Sequence, residues 1–174
     1  MTKLSEGKFN YIFPAGWQAI KWDDTDFHQQ LFQSFGGTSK SAEFVAFNEN
    51  KAELWLIECK DFRAGGRSKA VALCDEIAQK FKATLAGLVC ARNTDNDEIR
   101  RFARSALKKV AIRCVVHWEH PLKPHCLWPQ ENMSRGDMRD KLRQRLKVAD
   151  PHAELGNHQQ LGTIMPWKIT QVAQ

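Results

Sequence analysis

Residues 41–63, SAEFVAFNENKAELWLIECKDFR, hold two runs of β-branched, aromatic and aliphatic side chains around the polar turn Asn48-Glu49-Asn50-Lys51. Runs of that composition joined by a short turn pair as an antiparallel hairpin, so a sheet must be built on this segment. Side chains two apart on a strand share a face, so Glu58 and Lys60 point one way and Cys59 the other. Pairing through the turn brings Glu43, at the start of the first run, near Glu58 at the end of the second. Two carboxylates and a lysine therefore converge where the apolar run ends.

The flanking pattern sets the fold class. DDTDFHQQLFQSFGG reads as a short helix capped by Asp23 or Asp24, with Phe27, Leu31, Phe32 and Phe35 on its apolar face and Gly36-Gly37 ending it. After the Gly65-Gly66 loop, SKAVALCDEIAQKFKAT has helical spacing through Val71, Cys74, Ile77, Ala78 and Phe81. LAGLVCA, continuously apolar, reads as a strand buried on both faces. DNDEIRRFARSALKK opens with Asp95 and Glu98 at capping-box spacing and carries Ile99, Phe102, Ala106 and Val110 on one side, and VAIRCVVHW follows as a strand. This order predicts an α/β fold with a mixed sheet. A length of 174 residues suits one domain, with a core over about 20–130 and a C-terminal extension over about 131–174 that contains a charged helix, RGDMRDKLRQRLKV.

Composition narrows the partners. With 43% hydrophobic residues, ten Phe and six Trp, one core is amply supplied. Lys and Arg outnumber Asp and Glu by 26 to 20, a net charge of +6 with pI near 9.2, which favours an anionic partner such as nucleic acid. The five cysteines, Cys59, Cys74, Cys90, Cys114 and Cys126, are odd in number and never spaced C-x-x-C, so a disulfide framework is not expected. MTKLSEGKFNYIF lacks a signal-peptide core, and no apolar run approaches the roughly 20 residues of a membrane span, so a cytoplasmic protein without membrane contact is expected.

The Glu43, Glu58 and Lys60 constellation suits phosphodiester hydrolysis. A hard divalent cation takes oxygen ligands, which Glu43, Glu58 and the Cys59 backbone carbonyl can supply. Such a cation lowers the pKa of a bound water and neutralises phosphate charge. Lys60 can orient that water and stabilise developing negative charge. Glu-x-Lys alone arises by chance on the order of once per chain or two of this length, so the weight lies on the hairpin, the upstream acid and the following loop and helix. A solvated Glu58–Lys60 pair is the plainer alternative, worth under about 1 kcal/mol.

The segment EFVAFNENKAELWLIECKDFR followed by DEIAQKFKATLAGLVCARN resembles the PD-(D/E)xK nucleases, over roughly residues 20–119. The resemblance implies a restriction-endonuclease-like αβββαβ core, a mixed central sheet flanked by helices, to which the C-terminal basic helix is added. It implies Mg²⁺, with Mn²⁺ as a substitute, and catalysis by Glu43, Glu58 and Lys60. Ala42 stands where the family has proline, and Glu43 where Asp is more usual. Asp26 is then an additional or alternative ligand, and Gln79 or Lys80 on the next helix a further site residue.

For binding nucleic acid, with DNA the expected substrate, Arg63, Arg67 and Lys69 lie in the loop after Lys60. Arg135, Arg139, Arg143 and Lys147 form a basic stripe beside the apolar Met138, Leu142 and Leu146, interrupted by Asp137 and Asp140. Solvated loop and helix faces are the alternatives for both. His117, His120, His125 and Cys126 are chemically able to hold zinc but match no zinc spacing, and His152 and His158 are treated alike. Cys59 reads as a packed thiol. Trp17 or Trp22 is either core or a stacking platform for a base. The expected activity is a Mg²⁺-dependent endonuclease. Its rival is an inactive nuclease-fold module that binds nucleic acid or scaffolds a larger complex, and a third possibility is an α/β domain unrelated to nucleic acid. One site per chain nicks one strand, so double-strand cleavage implies a homodimer.

Overall fold

The computed structural model describes residues 1–63, 72–119 and 135–172. The Gly65-Gly66 loop with Arg67, Lys69 and Val71, and the segment with His120, His125, Cys126 and Trp128, lie outside the described residues. Along the chain the strands are β1 (Thr2–Glu6), β2 (Phe9–Phe13), β3 (Trp17–Lys21), β4 (Phe44–Asn48), β5 (Glu53–Asp61), β6 (Ala111–Glu119), β7 (Glu154–Gly156) and β8 (Lys168–Gln171). The helices are α1 (Leu73–Ala91), α2 (Asp97–Ala106), α3 (Arg135–Leu146) and α4 (His158–Ile164).

A five-stranded mixed sheet in the order β3-β4-β5-β6-β7 forms the centre. β3, β4 and β5 pair antiparallel in sequence order, whereas β6 and β7 are added beside β5 in parallel after helical crossovers. The alternation of β5 divides the molecule into layers. Leu54 and Leu56 face Ile77, Phe81 and Leu88 of α1, in a core that also takes Phe102 of α2 and Met138, Leu142 and Leu146 of α3. Ile57 faces the opposite way, onto a three-stranded antiparallel sheet in the order β1-β2-β8. That second core holds Phe9, Tyr11 and Phe13, whose alternation in FNYIF buries one face of β2, together with Trp17, Trp167 and Ile169. The C-terminal region supplies an edge strand to each sheet, β7 beside β6 and β8 beside β2. Among the described residues no helix is long and apolar enough to cross a membrane.

The hairpin forms as the composition predicts, with Phe44 opposite Ile57 and Phe47 opposite Leu54. LAGLVCA is not a strand: it is the C-terminal part of the 19-residue α1, where Gly87, Leu88 and Ala91 are buried and Val89 and Cys90 exposed. The segment after Asp23 is also different from an ordinary α-helix. Residues Phe27–Phe32 form a π-helical turn in which the Gln33 amide donates to the His28 carbonyl five residues back. That wider turn aligns Phe27 with Phe32, whose rings stack at 6.1 Å, and leaves Leu31 and Phe35 each 61% exposed. Asn96, not Asp95, caps α2, accepting from the amides of Glu98 and Ile99. Val110, expected on the apolar side of α2, lies beyond its end and is 88% exposed. Trp17 and Trp22 are buried core residues and present no face to a base.

Candidate active site

β5 is anchored by Leu54, Leu56 and Ile57, each almost wholly buried, and full burial of such a side chain contributes about 1.5–3 kcal/mol. Glu58 and Lys60 continue the α1-facing side of this strand. Extending the hairpin register by one pair sets Glu43 opposite Glu58, just ahead of β4. The chain around Glu43 is pinned from two sides. The Trp22 amide donates to the Glu43 carbonyl at 2.8 Å, and the Ala42 amide donates to Thr84 Oγ1 of α1 at 2.8 Å. Thr84 in turn donates to the Lys80 carbonyl one turn back, at 2.8 Å.

On α1, Glu76, Lys80 and Thr84 recur at i,i+4 along the strip that faces the sheet. Lys80 Nζ donates to Glu43 Oε1 at 3.1 Å and to Glu58 Oε1 at 2.7 Å, bridging the two carboxylates. Lys60 pairs with the same Glu58 oxygen and lies 3.8 Å from Glu76. Close approach of α1 is permitted by Gly87, where a Cβ would stand 3.1 Å from Trp22 and 3.3 Å from Phe32. Asp23, carried past the end of β3, is the third acid, within hydrogen-bonding reach of Glu43.

The charges are unequally held. Burial, and then the hydrogen bond and charge of Glu43, push Asp23 up to about 8, so at neutral pH it keeps its proton. Burial also pushes Glu43 up, but the hydrogen bond from Asp23 and the charges of Lys80 and Lys60 outweigh it and leave Glu43 below the ordinary glutamate range. Glu58, with no exposed surface, is raised by burial that Lys80 and Lys60 only partly offset. Lys80 is itself buried, yet Glu58 and Glu43 overcome the desolvation and raise it, keeping it charged. The cluster is thus a desolvated set of acids held by two lysines.

Two adjoining clefts open onto it. One, of about 610 Å³, is lined by Asp23, His28, Gln33, Ser41 and Lys80 among others, and the other, of about 410 Å³, by Thr38, Glu76, Gln79 and Lys80. Both are shared by Ser39 and Lys40. Glu58 Oε2, Asp23 Oδ1, His28 Nε2 and Ser41 Oγ are buried around this cluster without a protein hydrogen-bond partner. An oxygen-seeking divalent cation fits the orphaned Glu58 oxygen, with Glu43 and Asp23 beside it. The Phe62 amide donates to Glu119 of β6, so by alternation Cys59 turns its carbonyl to the edge of β5 that β4 leaves uncovered, the side of Glu43. The three acids do not close into a ready cage, however, and the Lys80 ammonium occupies the space between Glu43 and Glu58.

Glu43, Glu58 and Lys60 are therefore brought together, and Lys80 joins them while the exposed Gln79 lines the second cleft. Asp26 is exposed at the start of the π turn and lines neither cleft; Asp23 stands in its place. Arg63 is turned to the other face of the sheet, paired with Asp61 at 2.9 and 2.7 Å and laid over the Phe9 ring at 4.7 Å. Of the helical stripe, Arg143 is tied to the Ala153 carbonyl and to Glu154 at 2.6 Å, and Arg135 bonds Gln160 at 2.5 Å. Arg139 and Lys147 are exposed. The Cys59 thiol, raised to about 12 chiefly by burial, packs against His117 as an inert group. Asp23, expected with Asp24 as a helix cap, belongs to this cluster instead, because its place is set by β3 pairing with β4, a contact between segments distant in sequence. No family model, curated protein or solved structure matches the chain.

Proposed function

We propose that this protein is a Mg²⁺-dependent nuclease that hydrolyses phosphodiester bonds in DNA, with a restriction-endonuclease-like core. The observation that carries the reading is the hairpin register, which sets Glu43 across from Glu58 with Lys60 on the same face, joined by Lys80, which lines the adjoining cleft. The run β3-β4-β5-α1-α2-β6, with one acid ahead of its second strand and E-x-K on its third, supports such a core, although the helical turn enters between β3 and β4 and a second helix, α2, precedes β6.

Bound Mg²⁺ supplies an activated water and charge neutralisation. Glu43, Glu58 and the Cys59 carbonyl are the ligands available to hold it, and Asp23, protonated at neutral pH, would become a third carboxylate ligand only on losing its proton to the cation. Lys60, sixteen per cent exposed at the rim, presents its ammonium to the charge that develops on the phosphate. Lys80 neutralises the acids until the cation enters.

One observation favours a second reading. Lys80 already fills the space between the two carboxylates, as it would in an inactive module that binds nucleic acid without cutting it. Incubation with plasmid, single-stranded DNA and RNA, in Mg²⁺ or EDTA, separates the two. Mg²⁺-dependent DNA cleavage that Lys60→Ala abolishes is expected. Salt-sensitive binding with no cleavage in Mg²⁺ or Mn²⁺ points to the inactive module, and equal cleavage by Lys60→Ala refutes the assignment.

A further inference from the structure

The opposite face of the central sheet carries a second polar cluster. His117 is the register partner of Cys59 and shares its face, away from Glu58 and Lys60, and Glu119 follows two residues later on the same side. His158, the first residue of α4, is brought against them by the return of the chain through β7. A single oxygen, Glu119 Oε1, accepts from His117 Nε2 at 2.9 Å, from His158 Nδ1 at 2.6 Å and from the His158 amide at 2.8 Å. One ligand atom from each of the three residues lies within 4.8 Å of the others, the one such group of His, Cys, Asp and Glu among the described residues.

We propose that His117, Glu119 and His158 form a Zn²⁺ site that ties the start of α4 to the end of β6. Two imidazoles and a carboxylate are a donor set of borderline softness suited to zinc and unsuited to Mg²⁺ or Ca²⁺. With Zn–N bonds of about 2.0–2.1 Å, tetrahedral ligand atoms stand about 3.3 Å apart, so the two separations from Glu119 Oε1, 2.9 and 2.6 Å, must each widen by less than about 1 Å, and the two ring nitrogens already lie within 4.8 Å of each other. His117 is wholly buried, while the His158 side chain, 25% exposed and held by Glu119, forms the solvent edge of the cluster.

The surroundings suit a bound metal. Phe9 packs edge-on to His117, with ring centroids 4.5 Å apart, and lies 5.5 Å from His158, giving the cluster an apolar wall. Tyr11 Oη lies 2.5 Å from His117 Nδ1. With Nε2 as the ligand, neutral His117 carries its proton on Nδ1 and donates it to the Tyr11 oxygen, the outer-sphere contact that orients a metal-bound histidine. The exposed edge at His158 leaves the fourth position to water.

The test uses the full chain, stripped with a chelator and titrated with Zn²⁺ alone. Wild type is expected to take up one Zn²⁺ per chain, and His158→Ala, at the partly exposed edge of the cluster, to lose that uptake with an unchanged circular dichroism spectrum. Co²⁺ in wild type should give the visible bands of a nitrogen- and oxygen-ligated ion without the sulfur charge-transfer band of a thiolate ligand. Absence of stoichiometric uptake by wild type, undiminished uptake by His158→Ala, or a thiolate band overturns the site.

Discussion

Replacing Lys80 with Met keeps the aliphatic stem and removes the ammonium that bridges Glu43 and Glu58. Glu58 is then left with Lys60 alone and Glu43 with Asp23, both carboxylates remaining desolvated. Removing one partner of a buried ion pair costs about 3–5 kcal/mol. At about 2–4 °C per kcal/mol for a chain of this size, the transition midpoint at pH 7 should fall by on the order of 10 °C. In wild type the raised Lys80 contributes stability that is complete below the ordinary lysine pKa and lost only as pH rises beyond it. The deficit of Lys80→Met should therefore be present at neutral pH and shrink as acid protonates the carboxylates it leaves uncompensated. Because the ammonium no longer competes for the space between them, Mg²⁺ should raise the variant's midpoint more than that of wild type. Thermal denaturation at pH 5 and pH 7, with and without Mg²⁺, reads all three effects. A variant that melts within 2 °C of wild type at pH 7, with no larger response to Mg²⁺, would refute the reasoning about the lysine bridge.

Other consequences concern residues around the bridge. The raised Asp23 favours the fold fully below the ordinary aspartate pKa, and that contribution is lost as pH climbs through about 8. Asp23→Asn, which cannot ionise, should gain on wild type across this window in urea titrations, whereas parallel pH profiles would show that Asp23 is not desolvated. Gly87→Ala places a methyl 3.1 Å from the buried Trp22 ring. Overpacking of about 1–3 kcal/mol there should exceed the helix-propensity gain of up to about 1 kcal/mol, so urea unfolding should show net destabilisation; a stabilised variant would contradict the close packing. Tyr11→Phe, which removes the outer contact to His117, should weaken Zn²⁺ binding roughly 10–100-fold in calorimetry. An unchanged affinity there would mean that Tyr11 does not orient the ligand.

The sequence-legible part of the site is local. Alternation places Glu58 and Lys60 on one face, and a short turn sets Glu43 across from Glu58, so the centre of the cluster follows from some twenty residues of hairpin. What depends on distant pairing was not legible. Asp23 arrives through β3 pairing with β4, and His158 reaches β6 only because β7 adds a parallel strand beside it. Residues 85–91 were misread because a continuous apolar run fits a buried strand and a helix core equally. No breaker separates Thr84 from Leu85, so α1 continues, and small Ala and Gly residues let it lie close to Trp22. The π turn was hidden for a similar reason: Phe27, Leu31 and Phe35 fit a period of 3.6, but the core selects Phe27 and Phe32, five apart.

The central claim, that Glu43, Glu58 and Lys60 act as one hydrolytic centre, is tested most directly by Glu58→Gln, which keeps the shape of the side chain and removes its charge. With Mg²⁺-dependent plasmid cleavage measured beside a thermal transition, the account predicts a loss of at least about a hundredfold in rate while the cooperative transition is retained. Cleavage by folded Glu58→Gln at the wild-type rate would contradict it.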